Sequence, residues 1–117
     1  MFKDYITREK ELLVLIDVEV YERNLFFEIF NQFLIGASKT NGSLIFDGSV
    51  SESILGDYRP RTFLFILKWP NNESFNHWWN SSQNFRLTES LKEYADLKVT
   101  TIEQNNRTNK WLKESID

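Results

Sequence analysis

The 117 residues fit one domain, and a composition that is 41% apolar and 15% aromatic allows that domain to bury a hydrophobic core. The 17 acidic and 14 basic residues give a net charge of -3 without a long run of either sign, which argues against a nucleic-acid partner. Uninterrupted apolar runs reach only five residues, too short for a membrane span or a signal-peptide core. These properties predict a soluble, cytoplasmic protein with no membrane partner.

The absence of cysteine excludes disulfides and thiolate metal sites. The single histidine, His77, cannot form a histidine-rich metal centre within one chain. The sequence also contains no cofactor-binding motif. We therefore expect neither a metal site nor a tightly bound cofactor.

The first half of the chain predicts a strand, a helix and a second strand. Residues 11–20 are rich in β-branched side chains, and their even-numbered positions form one apolar face. Residues 21–37 place Phe26, Phe30 and Phe33 on a single stripe at helical spacing. A turn at residues 40–42 then leads into a strand over residues 43–50, in which Gly48 is expected to mark a bulge.

The second half predicts another strand, a helix and a last strand. After a loop, residues 61–69 form a strongly apolar strand that ends at Pro70, since proline cannot continue the hydrogen-bonded ladder. Asn71 or Asn72 is expected to cap a helix that breaks or kinks at residues 80–82 and then resumes. Residues 96–104 form the fourth strand, and the last residues form either a short docked helix or a frayed tail.

The predicted order βαββαβ, with short loops and right-handed crossovers, gives a four-stranded antiparallel sheet with its helices on one face. This is an α+β fold of the ferredoxin-like type. We expect an N-terminal extension over residues 1–10, the folded domain over residues 11–104, and a C-terminal tail or short helix over residues 105–117.

His77 lies directly before two tryptophans, and this cluster has two interpretations. On a helix that begins near Asn72, helical spacing places Phe75, Trp78, Trp79 and Ser82 on one face and His77 on the opposite, polar stripe. The favoured interpretation is that the tryptophans fill the interface between helix and sheet while His77 lies in solvent. The alternative makes His77 a general base, which requires a carboxylate partner or a pocket.

The strand face that points away from the helices is apolar at its centre and charged at one end. Alternation assigns to it a set of residues from all four strands: Leu13, Leu15, Asp17, Glu19, Leu64, Ile66, Lys68, Thr100 and Ile102, with Ile45 and Asp47 as further candidates. An exposed apolar patch of this kind is unfavourable for a monomer. The simplest cover is a second copy, because a twofold axis makes the same patch self-complementary. We therefore expect a homodimer that packs through the sheet face.

Two such sheets would enclose a cavity whose polar groups are the candidate ligand-binding residues. Asp17 and Glu19 lie two residues apart on the first strand and therefore on the same face. Lys68 lies on the same face of its strand as Leu64 and Ile66, by the same alternation. Arg59, in the loop before the third strand, is suited to holding an anionic group with two parallel hydrogen bonds. The alternative, which is the favoured interpretation of these charges, is that they lie at strand ends in water or pair with each other. The sequence leaves open whether Lys68 lies near the carboxylates or at the opposite end of the sheet.

Several motifs resemble the small bacterial proteins of the domain of unknown function 1330 family, in the dimeric α/β-barrel superfamily. The resemblance spans residues 12–104 and is carried by Arg59-Pro60, by Trp69-Pro70 and by the run Trp78-Trp79-Asn80-Ser81. It departs from the family pattern at Lys68, where a carboxylate is common, and at Gln104, which replaces a terminal glycine. The resemblance implies the dimeric barrel fold but no established activity.

Two classes of function stay open. The first is a small-molecule site, binding or catalytic, in an apolar pocket lined by residues such as Leu15 and Ile66, without a cofactor. The second is a non-catalytic dimer that serves as an interaction module, with Trp111 and Leu112 as a docking element. A ligand-sized void with convergent polar groups would favour the first class, and a fully packed interface would favour the second.

Overall fold

The computed structural model describes residues 10–49, 52, 54–56 and 63–103. Within these residues the elements, in chain order, are β1 (Leu12–Val20), α1 (Arg23–Lys39), β2 (Ser43–Gly48), β3 (Phe63–Trp69), α2 (Asn72–Trp79), α3 (Ser82–Leu91) and β4 (Ala95–Glu103). The predicted helix break is confirmed, because α2 ends at Trp79 and α3 begins at Ser82. Arg59, Pro60, Gln104, Trp111 and Leu112 lie outside the described residues.

The four strands form one antiparallel sheet in the order β2-β3-β1-β4. The two central strands are β1 and β3, which are paired from Leu12 opposite Trp69 to Val18 opposite Phe63. This arrangement confirms the predicted ferredoxin-like α+β fold. In the described part of the chain, every helix is too short or too polar to span a lipid bilayer.

One face of the sheet packs against the helices and forms the hydrophobic core. The core contains the even-numbered β1 residues, the odd-numbered β3 residues from Phe65 and the phenylalanine stripe of α1: Leu12, Val14, Ile16, Val18, Phe65, Leu67, Trp69, Phe26, Phe30 and Phe33. Trp78 of α2 joins this core, since its ring lies 4.8 Å from both Phe33 and Trp69, measured between centroids. The predicted alternation of β1 and the predicted stripe of α1 are thus confirmed.

Each helix begins at a side-chain cap. The Glu22 carboxylate accepts a hydrogen bond of 3.0 Å from the amide of Asn24 at the start of α1. Asn71, one of the two predicted caps, accepts from the amide of Ser74 at 2.8 Å. Ser81 accepts from the amide of Asn84 at 3.1 Å and so starts a separate helix, α3. These caps satisfy amide groups that would otherwise lack partners in the first helical turn.

The bulge in β2 lies at Ile45 and not at Gly48, where it was predicted. The pairing with β3 shifts between Leu44 and Phe46, whereas Gly48 is paired regularly with Leu64. An extra residue reverses the alternation of the residues that follow it. Phe46 therefore pairs with Ile66, and Asp47 pairs with Phe65, whose side chain belongs to the core face. The expectation that Asp47 lies on the open face is wrong for this reason.

The turn from α1 to β2 depends on a close approach of backbone to an indole ring. Asn41 adopts a left-handed φ of 72°, a conformation that asparagine tolerates better than most residues. A Cβ atom at Gly42 would lie 2.5 Å from Cζ2 of Trp69, so only glycine fits there without displacement. The indole Nε1 of Trp69 donates to Oγ1 of Thr40 over 3.3 Å. The end of α1 is thereby joined to the end of β3.

Candidate functional site

The sheet face opposite the helices carries an apolar centre formed by β1 and β3. Leu13 and Leu15 of β1 and Leu64 and Ile66 of β3 are each partly exposed on this face, and Leu15 is paired directly with Ile66. Directly opposed antiparallel residues point to the same side of the sheet. We call these four leucine and isoleucine residues the open-face patch. The predicted placement of these four residues on the face away from the helices is confirmed.

The edge strands extend the open-face patch with more exposed side chains. Thr100 and Ile102 of β4 are paired with Leu15 and Leu13, and Ile102 is 44% exposed. Phe46, which the bulge turns to this side, is 50% exposed beside Ile66. Phe46 was missed because the sequence pattern does not locate a bulge.

The candidate polar residues lie at two ends of this face. Asp17 is opposite Leu64, whereas Lys68 is opposite Leu13, four residues away along β1. At about 3.4 Å per residue this separation is roughly 14 Å. The structure therefore does not bring Lys68 together with Asp17 and Glu19. Arg59 lies outside the described residues.

Lys68 instead forms an ion pair at its own end of the sheet. Its Nζ lies 2.6 Å from the Glu11 carboxylate, and both side chains remain partly exposed, at 46% and 29%. An ion pair with this much solvent contact contributes at most about 1 kcal/mol to stability. The pairing fits the alternative in which strand-end charges neutralise each other.

The carboxylate end of the face contains a lysine that the sequence analysis did not name. Lys98 of β4 is paired directly with Asp17, and Asp96 is paired with Glu19. This pairing places the side chain of Lys98 and the carboxylate of Asp17 on the same side of the sheet. The sequence did contain the information needed to find Lys98. It lies two residues before Thr100, and the alternation of side chains along a strand places both on the same face. The polar group beside the open-face patch is therefore the set Asp17, Glu19, Asp96 and Lys98.

The histidine and tryptophan cluster lies on the other side of the molecule, in the helix layer. Phe75 and Trp78 are buried, Trp79 is partly buried and His77 is exposed, as the favoured interpretation predicted. Ser82 is exposed at the start of α3 and does not extend the face of α2. No group of three metal-ligating side chains occurs among the described residues.

The fold is similar to that of several solved structures. The cofactor-independent oxygenase SnoaB from Streptomyces nogalater is 10% identical with a TM-score of 0.62, over 83% of this chain and 95% of that one. A protein of unknown function from Rhodopseudomonas palustris is 14% identical with a TM-score of 0.64, over 90% and 92% of the two chains. A candidate antibiotic biosynthesis monooxygenase from Caulobacter crescentus is 4% identical with a TM-score of 0.61, over 91% and 100%.

These similarities show the fold alone, because the sequence identities are far too low to transfer an activity. They agree with the ferredoxin-like α+β fold of this chain. No family model matches the sequence, and no curated protein does. Membership of the domain of unknown function 1330 family therefore stays a prediction.

Proposed function

We propose that two copies of this chain pack through the open-face patch and enclose a cavity that binds an apolar small molecule. The observation that carries this proposal is the division of the sheet: the described helices pack on one face, and Leu13, Leu15, Leu64 and Ile66 line the other. A continuous apolar surface of this kind is characteristic of an interaction or ligand-binding site. A twofold interface would bury the same patch on both copies.

The Asp17 end of the face supplies the polar groups that would orient a bound molecule. A cavity with apolar walls and a few polar groups at one end is the usual form of a small-molecule site. Asp17 is the most enclosed of the four charged residues there, since it is partly buried while Glu19, Asp96 and Lys98 are exposed. We assign Asp17 the role of accepting a hydrogen bond or a proton from the molecule, with Lys98, its direct pairing partner on β4, as a second polar contact.

The proposed reaction class is a transformation that needs no tightly bound cofactor. Two proteins of similar fold, an oxygenase described as cofactor-independent and a candidate monooxygenase, support this proposal. The support is an analogy between folds, and it identifies no substrate. The Trp69-Pro70 and Trp78-Trp79-Asn80-Ser81 motifs support the further proposal of kinship with the domain of unknown function 1330 family.

The interface is tested by placing a charge in the open-face patch. Leu15→Asp and Ile66→Asp would each put unpaired carboxylates against their twofold mates, and the cost of burying such charges should dissociate the dimer. Ile35→Asp is the matched control, because Ile35 is 54% exposed on α1, away from the patch. Sedimentation velocity should give a monomer for the first two variants and a dimer for the control. A native-sized dimer of Leu15→Asp with native circular dichroism would refute the interface.

The cavity is tested by a crystal structure of the assembled protein. The expected result is a void of ligand size between the two sheets, with Asp17 at its border. An interface filled completely by side chains would instead indicate the interaction module, the second function that the sequence left open. An Asp17 carboxylate directed into bulk water would also contradict the assigned role.

A further inference from the structure

We propose that a groove in the helix layer binds a small hydroxycarboxylate. The helix groove, as we name it, lies between the last turns of α1 and the junction of α2 with α3. It has a volume of about 210 Å³ and is lined by Gly36, Lys39, Thr40, His77, Trp78, Ser81, Gln83, Asn84 and Leu87. Since a water molecule occupies roughly 30 Å³ in the liquid, this space suits a compact molecule of a few heavy atoms. The proposal is independent of the dimer, because the groove and the open-face patch lie on opposite faces of the sheet.

The first observation is a buried donor at the wall of the groove. Trp78 is 2% exposed, and its indole Nε1 has no hydrogen-bond partner among the described residues. The other buried indole of the core, that of Trp69, does have a partner in Thr40. Gly36 faces the unpaired N–H, since a Cβ atom at that position would lie 3.4 Å from Nε1. Buried indole N–H groups usually find an acceptor, so an acceptor brought in by a ligand would complete this site.

The second observation is a buried acceptor in the same lining. Asn84 is 3% exposed, and its amide Nδ2 donates to the Trp79 carbonyl over 3.4 Å. Its Oδ1 is buried with no hydrogen-bond partner in the described part of the chain. A ligand that satisfies both groups must accept a hydrogen bond from Trp78 and donate one to Asn84. A carboxylate oxygen and a neighbouring hydroxyl supply this pair of functions.

The charge of the lining favours an anion. The lining residues include Lys39 and His77 and no carboxylate, although the chain as a whole has a net charge of -3. The groove also adjoins the N-terminus of α3, whose first turn has no acidic residue. The amide groups and the dipole at a helix N-terminus stabilise a nearby negative charge. Lys39 would hold the carboxylate by a charge-assisted hydrogen bond.

The test is a titration of the ¹⁵N-labelled protein with glycolate, followed through the indole N–H signals of its four tryptophans. The Trp78 signal is assigned from its loss in Trp78→Phe. We expect it to shift saturably on addition of glycolate, while the Trp69 signal shifts less. Acetate lacks the hydroxyl and ethylene glycol lacks the carboxylate, so each should bind about tenfold more weakly, the factor that corresponds to one lost hydrogen bond of this type.

Three variants complete the test. Lys39→Gln should weaken glycolate binding about tenfold, the effect of removing a charge-assisted hydrogen bond. Lys92→Gln, the same change at an exposed lysine outside the groove, should leave the affinity unchanged. Gly36→Leu should abolish the shift by filling the space next to Nε1; if that variant does not fold, the lysine pair still decides. An unsaturable shift, equal weakening in both lysine variants, or equal binding of glycolate and acetate would overturn the proposal.

Discussion

Trp78 is one of the two buried side chains of α2, with Phe75, and it reaches both α1 and the sheet. Its ring contacts Phe33 of α1 and Trp69 of β3, and it also packs near Phe75, with ring centroids 5.9 Å apart. Trp79 packs beside Phe75 with centroids 6.1 Å apart, but it remains partly exposed. His77 contributes to none of these aromatic contacts. His77, Trp78 and Trp79, which are consecutive in the chain, are therefore expected to contribute very differently to the stability of the protein.

We expect Trp78→Ala to lower the free energy of unfolding by about 3–5 kcal/mol, because it leaves a large cavity between α1, α2 and the sheet. His77→Ala should change this free energy by less than about 0.5 kcal/mol, since the side chain is exposed. Trp79→Ala should fall between the two values. Urea denaturation followed by circular dichroism measures all three. If His77→Ala lowers the free energy of unfolding as much as Trp78→Ala, His77 cannot lie on the exposed face of α2.

Gly42→Ala should be destabilising although it adds only one methyl group. The added Cβ would lie 2.5 Å from Trp69 and 2.9 Å from the backbone oxygen of Ala37, and neither neighbour can move easily. Overpacking of this kind costs about 1–3 kcal/mol.

Gly48→Ala is the matched control for this position. There the new methyl group would lie 3.1 Å from the ring of Phe46, a half-exposed side chain that can move aside. The melting temperature should therefore fall clearly for Gly42→Ala and little for Gly48→Ala. Equal melting temperatures for the two variants would show that Trp69 does not constrain the turn.

At the scale of the elements, the break between α2 and α3 depends on Ser81. Its hydroxyl donates to the Trp78 carbonyl at 2.8 Å and accepts from the Asn84 amide at 3.1 Å. The same side chain thus satisfies the end of one helix and the start of the next. This double function explains why a polar stretch of two serines and an asparagine interrupts an otherwise continuous helical pattern.

Ser81→Ala should lower the free energy of unfolding by about 1 kcal/mol, the typical cost of losing a helix cap. Ser82→Ala, one residue further on and exposed, should lie within about 0.5 kcal/mol of the unaltered protein. Chemical denaturation of the two variants in parallel gives the difference. If the two serines prove equivalent, the capping role of Ser81 is refuted.

The elements were predictable from the sequence because each one is encoded by local periodicity. The alternation of residues 12–20 and the phenylalanine spacing of α1 depend only on neighbouring positions. The bulge at Ile45 was not predictable, since an inserted residue leaves the β-branched composition of a strand unchanged. Placing the bulge at Gly48 and not at Ile45 was enough to assign Asp47 to the wrong face and to miss Phe46.

At the scale of the whole molecule, the site was less predictable than the fold. The order of strands and helices along the chain, together with the apolar patterns, determines that β1 and β3 are the central strands. Which polar side chains of these strands lie close together depends on the register of the pairing. Register places Lys68 beside Leu13 and away from Asp17, and it brings Lys98 to Asp17 from the edge strand. The helix groove could not be predicted from the sequence, because Gly36, Trp78 and Asn84 lie on three different helices. Only the packing of α1, α2 and α3 brings them to one groove.

If the open-face patch is buried between two copies, the thermal stability of the protein must depend on its concentration. Association stabilises the folded state by mass action, so a hundredfold rise in protein concentration adds about 2.7 kcal/mol per dimer. For a domain of this size, such a gain should raise the melting temperature by several degrees. Leu15→Asp should remove this dependence, and Ile35→Asp should retain it with a slope like that of the unaltered protein. Calorimetry over a hundredfold range of concentration would measure the slopes, and a flat slope for the unaltered protein would mean that a folded monomer keeps the patch exposed.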